Sequence, residues 1–294
     1  MVLKAHGLLL ASLVAIVGGG LALHPGDAER PAEPSPRVRA EARAKPVVPR
    51  ARAERRDERA PRRRVARVPT PDGLAASARY AAERDGLVSF AAIDGEGRLY
   101  GRDLDRLYSA ASTVKAMLLA AELERLERER LPLDQGTDAL LRSMITRSDN
   151  KAADAIYARV GDPGMFAVAR RAEMTRFTEA GHWGNAQISA ADLAHLYSRL
   201  EGLVAGPHRE YALGLLGSVA PEQRWGIPAV AAERGWAVRF KGGWLPGRGL
   251  AHQGAQLRNG DRELALAVLT DAQPSHEYAT ETVQGVAARL LGGR

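Results

Sequence analysis

Strand-like stretches fall in two groups in this chain, and a long run of helical patterns separates them. The first group is Leu87 to Ile93, an apolar run of strand length, with a return at Arg98 to Arg102 after the turn Asp94-Gly95-Glu96-Gly97. The second is Ala237 to Lys241, Leu250 to Arg258 and Glu263 to Thr270, the last two flanking Asn259-Gly260, a strong hairpin turn. This order constrains the fold more than any other feature. It implies an α/β fold with an antiparallel five-stranded sheet assembled from both chain ends and an all-helical lobe inserted between them.

Helical patterns fill the rest. Pro71 to Arg84 starts on proline and carries several alanines. A helix from Ser112 to about Arg130 repeats Leu119, Leu123 and Leu126 at helical spacing and ends before Pro132. Asp138 to Thr146, Lys151 to Val160, Gly164 to Ala172, Ala190 to Leu203 and Arg209 to Val219 continue the block, and Glu277 to Leu291 closes the chain.

The first 70 residues read differently. Lys4 followed by the uncharged, largely apolar run Gly7 to Leu23 is the pattern of a signal peptide or signal anchor over residues 1–28, with Gly26-Asp27-Ala28 as a candidate cleavage site. This predicts export, either secreted or tethered at the outer face of the cytoplasmic membrane. Residues 29–70 are rich in Pro, Ala and Arg, hold almost no large apolar residues, and predict a disordered linker. That segment carries 14 basic and 6 acidic residues, a surplus that exceeds the whole chain's +7, so the remainder is close to neutral. The linker reads as a solvated spacer or as a contact for anionic wall polymer or membrane; without interleaved aromatics it does not read as a nucleic-acid binder. With no cysteine, a disulfide, a thiol nucleophile and Cys-ligated zinc are excluded.

The chemistry concentrates at Ser112-Thr113-Val114-Lys115. Residues three apart on a helix share a face, so hydroxyl and amine point into one space. A serine in a first helical turn sits among unpaired N–H groups that favour negative charge, and an amine of lowered pKa can take its proton. Alone the motif means little, because a surface helix can carry both residues by chance. Ser148-Asp149-Asn150 taken alone fits a helix N-cap, and Lys241-Gly242-Gly243 a strand ending in a turn. The three in this order carry more than each alone.

Together, Ser112-x-x-Lys115, Ser148-Asp149-Asn150 and Lys241-Gly242-Gly243 on a strand resemble the three motifs of class A β-lactamases and penicillin-binding proteins, and most closely the β-lactamase-related serine hydrolases. The resemblance covers roughly residues 71–294, which it implies are one serine β-lactamase-like domain. It implies Ser112 as acylated nucleophile, Lys115 as the amine that deprotonates it, and Ser148 as the hydroxyl relaying a proton to the leaving nitrogen. Asn150 would hold the substrate amide, Lys241 the substrate carboxylate, and Gly243 and Trp244 would line the binding strand. The backbone N–H groups of Ser112 and Trp244 would form the oxyanion hole. Asp149 would be a structural carboxylate tying its loop. The side chains of Ser112, Lys115, Ser148 and Lys241 should converge, with Ser112 Oγ in hydrogen-bond reach of Lys115.

The sequence departs from that family in three places. Gly242 stands where a hydroxyl residue is usual. The stretch Met174 to Ile188, where class A enzymes carry the glutamate that activates the hydrolytic water, is short and has Glu179 as its one central acid, beside His182, Trp183 and Asn185; Asp154 replaces a bracing asparagine. Ser148 follows Ser112 by only 36 residues, which predicts a more open cleft lined in part by Trp183, Trp225 and Trp244. Glu179 is a candidate displaced base. The implied activity is a serine hydrolase acting on a β-lactam or related amide; a D-alanyl-D-alanine carboxypeptidase acting on peptidoglycan peptides and a non-catalytic wall-binding protein are the alternatives. No metal or cofactor is implied, the histidines being scattered, and a monomer is expected.

Overall fold

The computed structural model describes residues 68–204 and 206–292. The expected export segment, and the expected linker up to residue 67, lie outside the described residues. Among the described residues no helix is long and apolar enough to cross a membrane.

The sheet is five-stranded and antiparallel throughout, in the order β2-β1-β7-β6-β5. The first hairpin supplies β1 (Leu87–Asp94) and β2 (Leu99–Arg102). The last part of the chain supplies β5 (Ala237–Leu245), β6 (Leu250–Asn259) and β7 (Arg262–Asp271). β7 pairs with β1 from Leu87↔Asp271 to Asp94↔Leu264, which is how the two chain ends join. β5 is an edge strand and runs four residues past the expected end at Lys241, because Gly242 to Leu245 keep pairing with β6.

Both faces of the sheet are covered, and β6, with its first eight residues buried, reads as a central strand. Its side chains alternate. Gly254 faces Tyr197 of α5 (Ala190–Ser198), while Gln253 faces the opposite side and accepts from the Ile227 N–H at the start of α8 (Ile227–Glu233). On the α8 side lie α9 (His276–Leu290) and α1 (Pro71–Glu83), the latter capped by Thr70 Oγ1 on the Gly73 N–H with Pro71 in its first turn.

The helical lobe holds α2 (Lys115–Glu129), α3 (Gln135–Thr146) and α4 (Asn150–Arg171), followed after α5 by α6 (Leu200–Leu203) and α7 (Arg209–Gly217). α2 is buried from Lys115 through Leu123. Its Glu122, fully buried, is tied to Arg125 at 2.8 Å and to Arg159 of α4 at 3.0 Å, so the charge the lobe buries is paired. α4 joins the two helices expected at 151–160 and 164–172 and bends where they meet, at Gly161 (φ 55°) just ahead of Pro163.

The structure corrects the sequence reading in three places. Ser112 is not in the first turn of an α-helix: Ala111–Val114 is a 3-10 turn, and α2 starts at Lys115. Ala111 there takes a left-handed φ of 47°, strained for a residue with a Cβ, so the chain tightens before the helix opens out. The helix expected over Ala190 to Leu203 is broken after Ser198. Three further elements carried no usable periodicity: β3 (Tyr108–Ser109) pairs with β4 (Gln187–Ile188), and α8 is only seven residues long.

Candidate active site

The two lysines come from different parts of the fold and meet at one hydroxyl. Lys115 opens α2, and Lys241 lies midway along β5; both are fully buried. Lys241 Nζ donates to Ser148 Oγ at 3.0 Å and to Gly242 O at 2.8 Å. Lys115 Nζ donates to Ser148 O at 2.6 Å, to Asn150 Oδ1 at 2.6 Å and, more loosely, to Ser148 Oγ at 3.4 Å.

Ser148 is delivered to this point by the turn between α3 and α4, where it takes a left-handed φ of 62°. Asp149 N-caps α4 through the Ala152 N–H at 3.1 Å and accepts from Ser143 Oγ at 2.9 Å, which ties the turn to both helices. Those bonds, the backbone N–H first, hold its carboxyl below the usual range. Asp149 is thus the N-cap of α4 and also bonds back to α3.

Two ammonium groups this close and this dry cannot both hold their protons easily. Burial, opposed by the charges of Asp149 and Asp154, brings Lys115 down to about 8. Burial first, and then the Lys115 charge, push Lys241 well below the ordinary lysine range. Lys115 can therefore change protonation state near neutral pH.

Ser112 borders the cluster without joining its hydrogen bonds. Its side chain is half-buried, and among the described residues its hydroxyl has no hydrogen-bond partner. The expected bond to Lys115 is absent because that amine spends its donors on Ser148 and Asn150. An ammonium has three donors and no lone pair; only the neutral amine can accept from Ser112. The serine turn is instead locked to β5: a Cβ on Gly243 would lie 2.6 Å from Ser112 N and 3.0 Å from Ala111 Cβ. The Gly242 carbonyl points out of the sheet to Lys241 Nζ, and the period of two then turns the Trp244 N–H the same way, towards this turn. The Trp244 ring lies 5.6 Å from Lys241 Nζ and packs edge-on to Trp225, which in turn meets His276.

Glu179 is not brought to the lysines. It sits by Tyr157 and Asp162 near the α4 bend, both carboxylate oxygens buried without a hydrogen bond. Burial, and then the Asp162 charge, push it up to about 7. The neighbour that Lys115 does have from the 174–188 stretch is Trp183.

His252 was missed by the sequence reading. Fully buried on β6 opposite Gly243, it accepts the Thr270 N–H on Nδ1 at 3.1 Å, so Nε2 carries the proton and donates to Ser109 O at 3.1 Å. It thereby fastens the strand leading into the serine turn to the sheet. One signal for the site was present in the composition. Only Lys4, Lys45, Lys115, Lys151 and Lys241 are lysine among 42 basic residues; the rest are arginine, which cannot give up a proton, so two of five lysines stand in this cluster.

Among solved structures the fold is similar to a β-lactamase from Sphaerobacter thermophilus (TM-score 0.65, 19% identity, covering 74% of this chain and 94% of that one). It is also similar to the class A β-lactamase of Mycobacterium abscessus (TM-score 0.64, 20% identity, 74% and 98% covered) and to a putative class A β-lactamase from Rhodopseudomonas palustris (TM-score 0.63, 23% identity, 76% and 99% covered). No curated protein matches significantly. Residues 136–292, which include Ser148, Asn150 and Lys241 but not Ser112 or Lys115, match the model of the β-lactamase enzyme family, and the chain belongs to that family.

Proposed function

We propose that the protein acylates Ser112 with the carbonyl of a β-lactam or a related carboxylate-bearing amide. The observation that carries this is the Ser148 hydroxyl held between two buried lysines, at 3.0 Å from Lys241 and 3.4 Å from Lys115. Neutral Lys115 takes the Ser112 proton as Oγ bonds to the carbonyl carbon. The oxyanion lies between the N–H groups of Ser112 and Trp244, each such donor contributing about 3 kcal/mol in comparable sites. The C–N bond then breaks, and its nitrogen receives a proton through Ser148 Oγ, itself resupplied by the adjacent lysines. Lys241 meets the substrate carboxylate, and water later cleaves the Ser112 ester, returning the free hydroxyl.

A fluorescent penicillin added to the full chain and to Ser112→Ala tests this. Covalent label on the first alone supports it; equal label on both, or none, overturns it. One observation favours a second reading, a D-alanyl-D-alanine-type peptidase that β-lactams inhibit: Glu179 sits by Asp162 and Tyr157, and among the described residues no carboxylate hydrogen-bonds the Lys115 amine. Label that persists after an unlabelled chase supports the peptidase, and label that decays within minutes the β-lactamase. Export belongs to the same proposal and rests on the sequence pattern of residues 1–28.

A further inference from the structure

Among the described residues, the acceptors on Lys115 all come from the Ser148–Asn150 segment. Another side of the amine faces an aromatic ring: the Trp183 indole centroid lies 4.9 Å from Lys115 Nζ. That indole is only 7% exposed, and its Nε1–H donates to Asp154 Oδ1 at 2.8 Å. Asp154 is one turn along α4 from Asn150, so a single helix supplies both an acceptor for Lys115 and an anchor for the ring that covers it.

The segment carrying the indole is fixed on both sides. His182 Nδ1 accepts the Gly184 N–H at 3.0 Å, so its Nε2–H donates to the same Asp154 oxygen at 3.2 Å. Beyond the indole, the Ala186 carbonyl accepts the Ala110 N–H at 2.8 Å, and β4 pairs with β3. The loop that covers Lys115 is therefore stitched to the residues that lead into Ser112.

We propose that Trp183, pinned by Asp154, is a positioning residue that seals Lys115 from water and keeps its amine against Ser148 and Asn150. The catalytic consequence rests on the acyl-enzyme reading above; the sealing does not. Two effects of the ring oppose each other. Its face attracts an ammonium, and its bulk excludes the water that would solvate one. Burial is the largest influence on Lys115, ahead of the Asp149 and Asp154 charges that oppose it, and the neighbouring amine, Lys241, is the one that the Lys115 charge pushes down. Exclusion therefore wins, and removing the ring favours the charged amine.

The test is lysine-selective NMR of the full chain, in which only five lysines titrate and Lys115→Arg identifies the signal. Trp183→Ala is expected to raise the Lys115 midpoint by about one pH unit or more, a tenfold gain in proton affinity, while Trp183→Phe stays within about 0.3 unit of the parent. Asp154→Asn and Asp154→Ala both lose the carboxylate charge, but only the amide can still accept the indole N–H. The Asp154→Ala midpoint is thus expected above that of Asp154→Asn, which separates the pin from the charge even if Trp183→Ala fails to fold. A folded Trp183→Ala with the parent midpoint, or equal midpoints in the two Asp154 variants, overturns the assignment. In parallel, the acid limb of penicillin labelling is expected to move with the NMR midpoint. If the parent does not label at all, the acyl-enzyme reading fails, and the NMR midpoints still decide the role of Trp183.

Discussion

Lys241 Nζ reaches Ser148 Oγ at 3.0 Å across 93 residues of sequence, joining the edge strand of the sheet to a turn of the helical lobe. The bond leaves Ser148 with a donor on its oxygen and its own hydrogen free to move. Lys241→Ala removes that donor and the amine that would meet a carboxylate. Charged hydrogen bonds contribute about 1.5–3 kcal/mol, so the second-order rate of penicillin labelling is expected to fall roughly 10- to 100-fold. An unchanged rate would show that Ser148 works through Lys115 alone.

The pH dependence follows from Lys115. Burial brings it to about 8, so below that pH the amine is an ammonium without a lone pair for the Ser112 proton. The labelling rate is expected to fall about tenfold for each pH unit below 8 and to level off above it. Lys115→Arg keeps the charge but does not release its proton, and should label at least ~100-fold more slowly than the parent's plateau above pH 8, without the acid limb. A rate that is flat from pH 6 to pH 9 in the parent would remove Lys115 as the base.

The place of Glu179 makes a third prediction. Its neighbours are Asp162 and Tyr157, not the lysine cluster. Glu179→Gln is therefore expected to leave the lifetime of the acyl-enzyme within about twofold, the range of an indirect effect. A lifetime stretched a hundredfold would mean that the loop carries Glu179 to the ester after acylation.

The sheet was legible because its strands announce themselves by apolar runs and by Asn259-Gly260, and the β7–β1 pairing follows once both ends must share one core. The cluster was legible in part, through the spacing of Ser112, Lys115, Ser148 and Lys241. What the sequence hid was non-local. Nothing in Tyr108-Ser109 or Gln187-Ile188 marks two-residue strands that find each other across the fold, and their pairing brings the Trp183 loop to the serine turn. The choice of Lys115's partners was equally hidden, because Ser148 O and Asn150 Oδ1 outcompete Ser112 only once the α3–α4 turn bends back at Ser148.

The adjacent glycines of β5 should behave in opposite ways. A Cβ at 243 would meet backbone atoms, Ser112 N at 2.6 Å and Thr113 N at 3.0 Å, which cannot move aside as a side chain can. Gly243→Ala is expected to cut labelling at least ~100-fold and to destabilise the fold by about 1–3 kcal/mol. At 242 the same atom finds only ordinary contacts, from 3.5 Å to His252 O to 3.8 Å to the Trp244 ring. Gly242→Ser should fold normally and place a hydroxyl beside Lys241. It is expected to tighten capture of a carboxylate-bearing penicillin by roughly tenfold, about the worth of one hydrogen bond to a charged group. Labelling kinetics and thermal melts of the two variants decide this; equal behaviour would place the serine turn farther from β5.

His252 supplies the last prediction, on stability. Burial holds it neutral and lowers it to about 4, whereas in the unfolded chain it titrates near the ordinary value of about 6.5. Between those values the unfolded chain binds a proton that the folded chain does not, so its contribution is present above pH 6.5 and is lost as pH falls towards 4. The loss approaches roughly 3 kcal/mol by pH 4, from a difference of about 2.5 pH units at 1.36 kcal/mol each. Other groups add their own pH dependence, so the comparison is with His252→Asn, which can still accept the Thr270 N–H but has no ring to protonate. Urea unfolding at pH 7 and pH 4.5 is expected to show a larger drop for the parent than for the variant. Equal drops would mean that His252 already carries its proton in the folded protein, against the bond its Nδ1 accepts from Thr270.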